Sequence, residues 1–315
     1  GSRGIRNPKY GLQDQVDLIQ VDWDGNVVWE FNQAEFIEDP GEKPQWMARQ
    51  HHDFQREGST TGYYAPGHEP QSMLCHRDVH CEYISDKPLL DDVVYEVNWD
   101  GEIIWEWQAS DHVQEMGFSE AARNAMARNP NYRGGSLIDS APGLGDWMHI
   151  NSVRYNPETN QVLISSRNFG EVFIVNHDKS GKVVWRFGNP SNHGEGPLPG
   201  FCDDGSQILF GNHDATWLEN GKIGLFDNGW LRPQGNRSRA LVVDIKTSSI
   251  EWEYVAKNPN SFSSAYQGST QHLPNGNVLI TSTATGHIFE VTKDKEVVWE
   301  YVSPFVRMGD VRPML

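Results

Sequence analysis

The residues of this sequence best suited to chemistry are three histidines, an asparagine and an arginine. His52 and His213 are each followed directly by an aspartate. His149 stands two residues before Asn151, and Arg167 follows later in the chain. Arginine binds a tetrahedral anion through its planar guanidinium, while histidine and asparagine add directed donors, and one imidazole can act as nucleophile or as general acid and base. If these side chains meet in the fold, the sequence predicts an oxyanion site with a catalytic histidine.

A phrase that recurs along the chain indicates which elements must position these residues. Each copy is a short strand, a polar turn that usually contains Asp or Gly, and a second strand with a tryptophan. Alternating apolar and polar residues on both sides of such a turn are typical of an antiparallel hairpin. The copies lie at residues 21–31, 97–107, 175–187, 243–254 and 291–301, with tryptophans at positions 29, 105, 185, 252 and 299.

The spacing of the repeat predicts an all-β fold, a β-propeller. A period of about 40–50 residues with two hairpins per unit is typical of a four-stranded propeller blade. We expect one domain over residues 1–315 with six blades, one of them completed by an upstream half-blade or by residues 305–315. Insertions at about 63–90 and 110–145 should lie on the rim, and the second contains a helical run that begins at the capping residue Ser119.

The blade register places the candidate residues on the innermost strands. His52 and His213 occupy matching positions, and His149 and Asn151 share one face of a third strand because side chains alternate with a period of two. The turn at Asn220 and Gly221 predicts a hairpin directly after His213. Innermost strands line the channel of a propeller, so we expect the three histidines to converge there, with Arg167 at the same rim. The alternative is that these residues only satisfy backbone groups and water. His272 is a weaker candidate, because it aligns with Trp217 rather than with His213. The remaining histidines are interpreted as loop or surface residues: His68, His112, His177, His193 and His287.

Composition excludes several classes of partner. The formal net charge is −17 and the isoelectric point is near 5.0, which disfavours nucleic acid and anionic membranes because both require clustered cations. No run of about 18 apolar residues is present, so no membrane span is predicted. We expect a periplasmic or secreted protein whose signal segment is not part of this sequence, and a homodimer stays open as its assembly.

The cysteines leave three readings open. Cys75 and Cys81 enclose the sequence His-Arg-Asp-Val-His, and Cys202 lies far away. The pair is consistent with a small disulfide loop in an exported protein, with two free thiols, or with a zinc set that includes the two histidines between them. The crowding of the four ligands into seven residues disfavours zinc.

Several segments together resemble the bacterial arylsulfotransferase family, which transfers sulfuryl groups without the phosphoadenosine donor. The specific part is the His-x-Asn-Ser sequence that starts at His149, together with Arg167. The likeness extends from about residue 18 to about residue 303, and the segments that carry it are residues 146–153, 164–167, 212–215, 225–229, 273–280, 288–291 and 297–301.

The resemblance implies a six-bladed propeller that moves a sulfuryl group from an aryl sulfate ester to a phenol by a ping-pong route, with no cofactor and no metal. His213 matches the histidine that becomes transiently sulfated. His149, Asn151 and Arg167 match groups that hold the sulfuryl oxygens. His52 is the expected match for the first-blade histidine, with His51 as the fallback.

Other functions fit the same pattern of residues. A propeller lyase or hydrolase would use the arginine and histidines to neutralise a uronate or sulfate group of an anionic polysaccharide, with histidine or tyrosine as the base. A non-catalytic binding propeller would not need three channel histidines. Three imidazoles with one open position can also hold zinc, so a metal bound by His52, His149 and His213 is a further alternative.

Overall fold

The structure, a computed structural model of the chain, describes residues 3–4, 14–31, 34–37, 45–48, 50–57, 60–69, 89–123, 148–197 and 205–304. Within these ranges the chain forms five four-stranded antiparallel sheets, one two-stranded sheet and a few short helical turns. The protein is therefore nearly all-β, as the repeat predicts. No helix in the described ranges is long and apolar enough to cross a membrane.

The first two sheets contain most of the described N-terminal third. In the first sheet β2 (Asp14–Val21) pairs with β1 (Arg3–Gly4), with β3 (Val27–Phe31) and with β6 (Gln50–His51). Between them β4 (Ala34–Ile37) and β5 (Gln45–Ala48) form the two-stranded sheet. The second sheet contains β7 (Phe54–Glu57), β8 (Thr60–Glu69), β9 (Leu89–Val97) and β10 (Ile103–Gln108) in sequence order.

The last three sheets are regular four-stranded meanders. The third sheet contains β11 (Ile150–Asn156), β12 (Gln161–Ser166), β13 (Glu171–Asn176) and β14 (Val183–Phe187). The fourth contains β15 (His213–Leu218), β16 (Lys222–Asp227), β17 (Arg239–Asp244) and β18 (Ser249–Tyr254). The fifth contains β19 (Ser269–His272), β20 (Val278–Ser282), β21 (His287–Val291) and β22 (Val297–Val302).

The hairpins predicted from the repeat are present. Each repeated phrase forms the outermost hairpin of its sheet, with the repeated tryptophan on the last strand. The turn after β15 has positive φ at Asn220 (60°) and Gly221 (71°), as the Asn-Gly pair predicts. This turn fits because asparagine and glycine tolerate the left-handed region that other residues avoid.

The two expected insertions differ in how far the structure describes them. Residues 63–69 continue β8 and pair with β9, so the first insertion begins after Glu69 rather than at residue 63. Residues 70–88, with Cys75 and Cys81, and Cys202 lie outside the described residues. In the second insertion α1 (Val113–Met116) is followed by a helical turn in which the Ser119 hydroxyl accepts a hydrogen bond from the Ala122 amide (3.2 Å). Ser119 therefore caps that turn as expected, and residues 124–147 lie outside the description.

Neighbouring sheets pack face to face, each pair around its own cluster of apolar side chains. Such packing is what makes consecutive sheets stack as blades, since each fully buried large side chain contributes about 1.5–3 kcal/mol. Each cluster contains residues from both of its sheets. Examples are Phe31 and Val97 for sheets one and two, Trp107 and Ile164 for two and three, Phe187 and Leu225 for three and four, and Tyr254 and Ile280 for four and five.

A hydrogen bond from the repeated tryptophan joins each of the first four sheets to the next. The indole nitrogen of the outer strand donates to the outer turn of the following sheet at 2.8–3.0 Å. The four donors and acceptors are Trp29 with the Trp99 carbonyl, Trp105 with the Asp178 carbonyl, Trp185 with the Ser248 hydroxyl, and Trp252 with the Lys293 carbonyl. The repeated tryptophan therefore belongs to the outer hairpin of its own sheet and binds the outer turn of the next sheet.

The fifth sheet shows where the described arrangement ends. The aromatic residue two positions after the repeated tryptophan is at most 7% exposed in the first four sheets, whereas its counterpart Tyr301 is 43% exposed. All six residues of β22 are exposed. The described sheets thus form an open series, and the six-blade count and the closure of the ring stay predictions.

Candidate functional site

The first residues of neighbouring inner strands lie side by side. β11 packs against β7 on one side and β15 on the other, and β15 packs against β19. His52 precedes β7, His149 precedes β11, and His213 begins β15. The structure therefore places the three histidines at the starts of three adjacent inner strands.

The backbone at these strand starts is unusual. His52, His149, Asp214 and Gln267 all have positive φ, between 52° and 61°. A residue with a Cβ atom pays roughly 1–2 kcal/mol for this conformation, so it persists only where the surrounding structure holds it. The pairing registers of β11 with β12 and of β15 with β16 also shift at these points. Such irregularities turn side chains away from the regular strand direction and toward a common point.

His213 is buried, and its hydrogen bonds define its protonation state. Its side chain is enclosed, with the residue only 8% exposed. The backbone amide of Gln267 donates to Nε2 (3.3 Å), so Nε2 is an acceptor and carries no proton. Nδ1 therefore bears the hydrogen, which it donates to the Asn228 Oδ1 atom (2.7 Å) and the Gly211 carbonyl (2.9 Å). The ring presents an unprotonated Nε2.

The environment keeps His213 neutral. The pKa of His213 is lowered from 6.5 to about 3, chiefly by burial and then by the charges of Arg167 and His149, while the hydrogen bonds with Asn228 and Gly211 act in the opposite direction. A charged imidazole would lose its hydration in this place and face a guanidinium. Consequently Nε2 stays unprotonated throughout the physiological pH range, and its lone pair accepts the hydrogen of the Gln267 amide.

The other predicted residues lie around His213. The rings of His52 and His149 meet edge to face, with centroids 4.8 Å apart. The Arg167 amide donates to the His149 carbonyl (3.1 Å), which holds the end of β12 beside the start of β11. Arg167 is near enough to lower the pKa of His213 through its charge. The structure thus brings His52, His149, Arg167 and His213 into one site.

Asn151 belongs to the same site, whereas His51 lies on another sheet. Asn151 Nδ2 donates to the carbonyl of Asn212, the residue before His213 (2.8 Å), and its buried Oδ1 atom has no hydrogen-bond partner among the residues that the structure describes. An unpaired buried acceptor is costly in a folded protein, so such an atom is typical of a ligand site. His51 belongs to β6, and the backbone pairs it with Asp14 of β2.

A second group of charged side chains lies along the inner strands and was not predicted from the sequence. Arg154 of β11 forms ion pairs with Asp53 and with Asp214 (3.4 Å for the latter). Asp53 also accepts the Val153 amide (3.0 Å), and Asp214 accepts the Thr270 amide (2.9 Å). Burial raises the pKa of Asp53 and raises that of Asp214 to about 6, with Arg154 acting in the opposite direction on both. These bonds join four adjacent inner strands, from the start of β7 through β11 and β15 to β19.

Asn228 is the nearest partner of His213 that was not assigned a role from the sequence. It follows β16, and because His213 pairs with Phe226 in the hairpin, residues just after Phe226 lie beside the start of β15. The signal in the sequence was the polar Asp-Asn-Gly at the end of a buried strand. The hydrogen-bond partner itself follows only from the register.

The interpretation of the remaining histidines as loop or surface residues is wrong for His193. Its side chain is 3% exposed and pairs with the buried Glu171 carboxylate (3.1 Å). His112 stacks on Trp107 with centroids 5.0 Å apart, which holds the start of α1 against β10 of the second sheet. Among the described residues no group of three His, Cys, Asp or Glu has a metal-binding arrangement.

Comparisons with known proteins give one clear family. The sequence profile of the arylsulfotransferase (ASST) family matches residues 15–304. An arylsulfate sulfotransferase, AssT, from Escherichia coli O6:H1 is 25% identical over 188 residues, which are 50% of this chain and 31% of that protein. The matched region therefore spans about a third of the length of that relative.

The solved structures that match this chain are distant from it. An inactive variant of virginiamycin B lyase from Staphylococcus aureus is 11% identical, with 97% of this chain and 71% of that chain covered and a TM-score of 0.44. A protein of unknown function from Bacteroides caccae is 14% identical, with 67% and 54% covered and a TM-score of 0.36.

Proposed function

This chain belongs to the arylsulfotransferase family, and we propose that it transfers a sulfuryl group from an aryl sulfate ester to a phenol, with His213 as the covalently modified nucleophile. The family profile covers nearly the whole described chain, from residue 15 to residue 304. The observation that carries the assignment of His213 is its protonation state. A buried neutral imidazole with its proton on Nδ1 has a nucleophilic lone pair on Nε2, which reaches an electrophile when the long hydrogen bond from the Gln267 amide is given up.

The first half-reaction forms a bond between His213 and sulfur. The Nε2 lone pair attacks the sulfur atom, the bond from sulfur to the aryl oxygen breaks, and its electron pair leaves with the phenolate. Sulfuryl transfer resembles phosphoryl transfer, in which charge spreads over the peripheral oxygens of a loose transition state. Arg167 supplies a fixed positive charge for those oxygens, and positioned charges of this kind are commonly the largest catalytic contribution.

The second half-reaction returns the group to an acceptor. A phenol loses its proton to a base, its oxygen attacks sulfur, and the electron pair of the nitrogen–sulfur bond returns to Nε2. We assign the proton transfers to the paired rings of His52 and His149, whose centroids are 4.8 Å apart. The buried Asn151 oxygen has no partner within the described ranges, and we assign this side chain to orienting the bound ester or the incoming phenol.

The test is turnover of a chromogenic aryl sulfate with and without a phenol acceptor. We expect phenol release that increases with acceptor concentration, and, without acceptor, a gain of one sulfuryl group located on His213 by peptide mass spectrometry. His213→Gln should abolish both signals, because the amide side chain fills similar space without a nucleophilic nitrogen.

His287→Gln is the matched control. His287 lies on β21, and its Nε2 atom interacts with Glu300 at 3.2 Å on the outer hairpin of the fifth sheet. This variant should turn over the ester at the wild-type rate. Release of phenol that persists in His213→Gln, or a sulfuryl group found on another residue, would contradict the assignment.

We also propose that the protein acts in the periplasm or outside the cell, as its resemblance to exported sulfotransferases suggests. Cell fractionation of the native host with an antibody to the protein tests this location. Recovery with cytoplasmic markers would contradict it.

A further inference from the structure

We propose that Asn228 is a positioning residue for His213, which holds the proton on Nδ1 and thereby keeps Nε2 unprotonated, as an attacking nitrogen must be. The catalytic role of Asn228 rests on the proposed function, in which Asn228 has no assigned part. Its effect on where the His213 ring carries its proton does not depend on that function.

The orientation of the Asn228 amide is set by its own partners. Asn228 is buried, and its Nδ2 atom donates to the Ser264 carbonyl (2.8 Å) and the Gln267 carbonyl (2.6 Å). Both amide hydrogens are therefore used on atoms that can only accept. The Oδ1 atom must then be the one that faces His213 Nδ1 at 2.7 Å, and it can only accept.

This arrangement selects one tautomer of His213. An acceptor at Nδ1 favours the ring with its proton on Nδ1, and the donor at Nε2, the Gln267 amide, excludes the other tautomer. The same asparagine binds the Gln267 carbonyl, so it holds the histidine and the segment beside Nε2 with one side chain. Loss of the amide leaves the Gly211 carbonyl as the remaining acceptor at Nδ1.

The contact strengthens during the reaction. When Nε2 bonds to sulfur the ring becomes positively charged, and the hydrogen on Nδ1 becomes a stronger donor. A hydrogen bond to a charged donor is roughly twice as strong as a neutral one. Asn228 thus stabilises the sulfated ring more than the free ring, without touching the substrate.

The first measurement is the tautomer of His213 by NMR with nitrogen-15-labelled histidine and no substrate, assigned by its loss in His213→Gln. We expect the proton on Nδ1 in the wild-type protein and a mixture of both tautomers in Asn228→Ala.

The second measurement is steady-state turnover of a chromogenic aryl sulfate. Asn228→Ala should lower kcat by about 10–100-fold, the effect usual for a partner that orients a functional imidazole, while KM stays within about twofold. The matched control is Asn189→Ala, which removes a buried amide that binds the Phe169 carbonyl (3.0 Å) instead of a histidine. That variant should keep the wild-type tautomer and the wild-type kcat.

The outcomes separate this inference from the proposed function. A proton on Nε2 in wild-type protein overturns it, and this result needs no variant to fold. An unchanged tautomer together with unchanged kcat in Asn228→Ala also overturns it. If no aryl sulfate is turned over but Asn228→Ala still shifts the tautomer, the proposed function fails and the positioning role stands.

Discussion

The neutral state of His213 predicts a specific effect of acid on folding stability. Its pKa falls from 6.5 in the unfolded chain to about 3 in the folded protein. The unfolded chain therefore binds a proton that the folded protein rejects, and stability falls as pH decreases below 6.5. Between pH 8 and pH 5 this linkage amounts to about 2 kcal/mol, obtained from RT ln(1 + 10^(pKa − pH)) for the unfolded group.

A carboxylate in the same region acts in the opposite direction. Burial raises the pKa of Asp214 to about 6, so the folded protein binds a proton that the unfolded chain does not, and acid stabilises the fold. Over the same pH interval this contributes about 1.4 kcal/mol. The two effects nearly cancel in the wild-type protein, so a single stability curve would conceal them both.

The assay is therefore a difference between variants. We would measure urea unfolding by tryptophan fluorescence at pH 8 and pH 5 for wild type, His213→Gln and the control His287→Gln. On going to pH 5 the wild type should lose about 2 kcal/mol relative to His213→Gln, because the two proteins share every other titrating group, Asp214 included, and differ in the His213 effect. The His287→Gln curve should follow the wild type. Parallel shifts in wild type and His213→Gln would refute the buried neutral state of His213.

Three further predictions concern the backbone, the tryptophan repeat and the anion site. Gly229→Ala should destabilise the fold several times more than Gly221→Ala, whose penalty is about 1 kcal/mol. Both glycines have φ near 70°, but a Cβ atom on Gly229 would meet a carbonyl oxygen at 1.8 Å, whereas one on Gly221 would face open space. Urea unfolding of the two variants compares the losses. Trp252→Phe should lose about 1 kcal/mol of stability, because it loses the indole hydrogen bond to the next sheet. Trp299 has no such bond among the described residues, so Trp299→Phe should lose less by the same measurement. Equal losses would contradict the role of the bond. Arg167→Lys should keep the charge but lose the planar fork, lowering kcat/KM for an aryl sulfate by about 10²-fold, and turnover near the wild-type rate would show that the fork is not used.

The repeated hairpins could be predicted from sequence because their signals are local. Alternation, the Asp-Gly turns and the anchoring tryptophans act within about a dozen residues, so each copy specifies its own hairpin. Aligning the copies then placed His52 and His213 on equivalent inner strands, and the structure brings them together with His149 and Arg167. The same local signals were less useful at the insertions, where Tyr63 was expected in a loop and lies in β8.

The state of the candidate site was decided only by the tertiary structure. The sequence determined which residue types lie on the inner strands, because strand periodicity and turn chemistry are properties of neighbours along the chain. It did not determine that Asn228 binds His213, that Arg154 joins Asp53 to Asp214, or that His193 is buried against Glu171. Hydrogen bonds and pKa shifts depend on distances of a few ångströms between residues far apart in sequence, and on how much water the packed sheets exclude. Those distances exist only after neighbouring sheets have packed, and they make His213 a neutral buried imidazole with its proton on Nδ1.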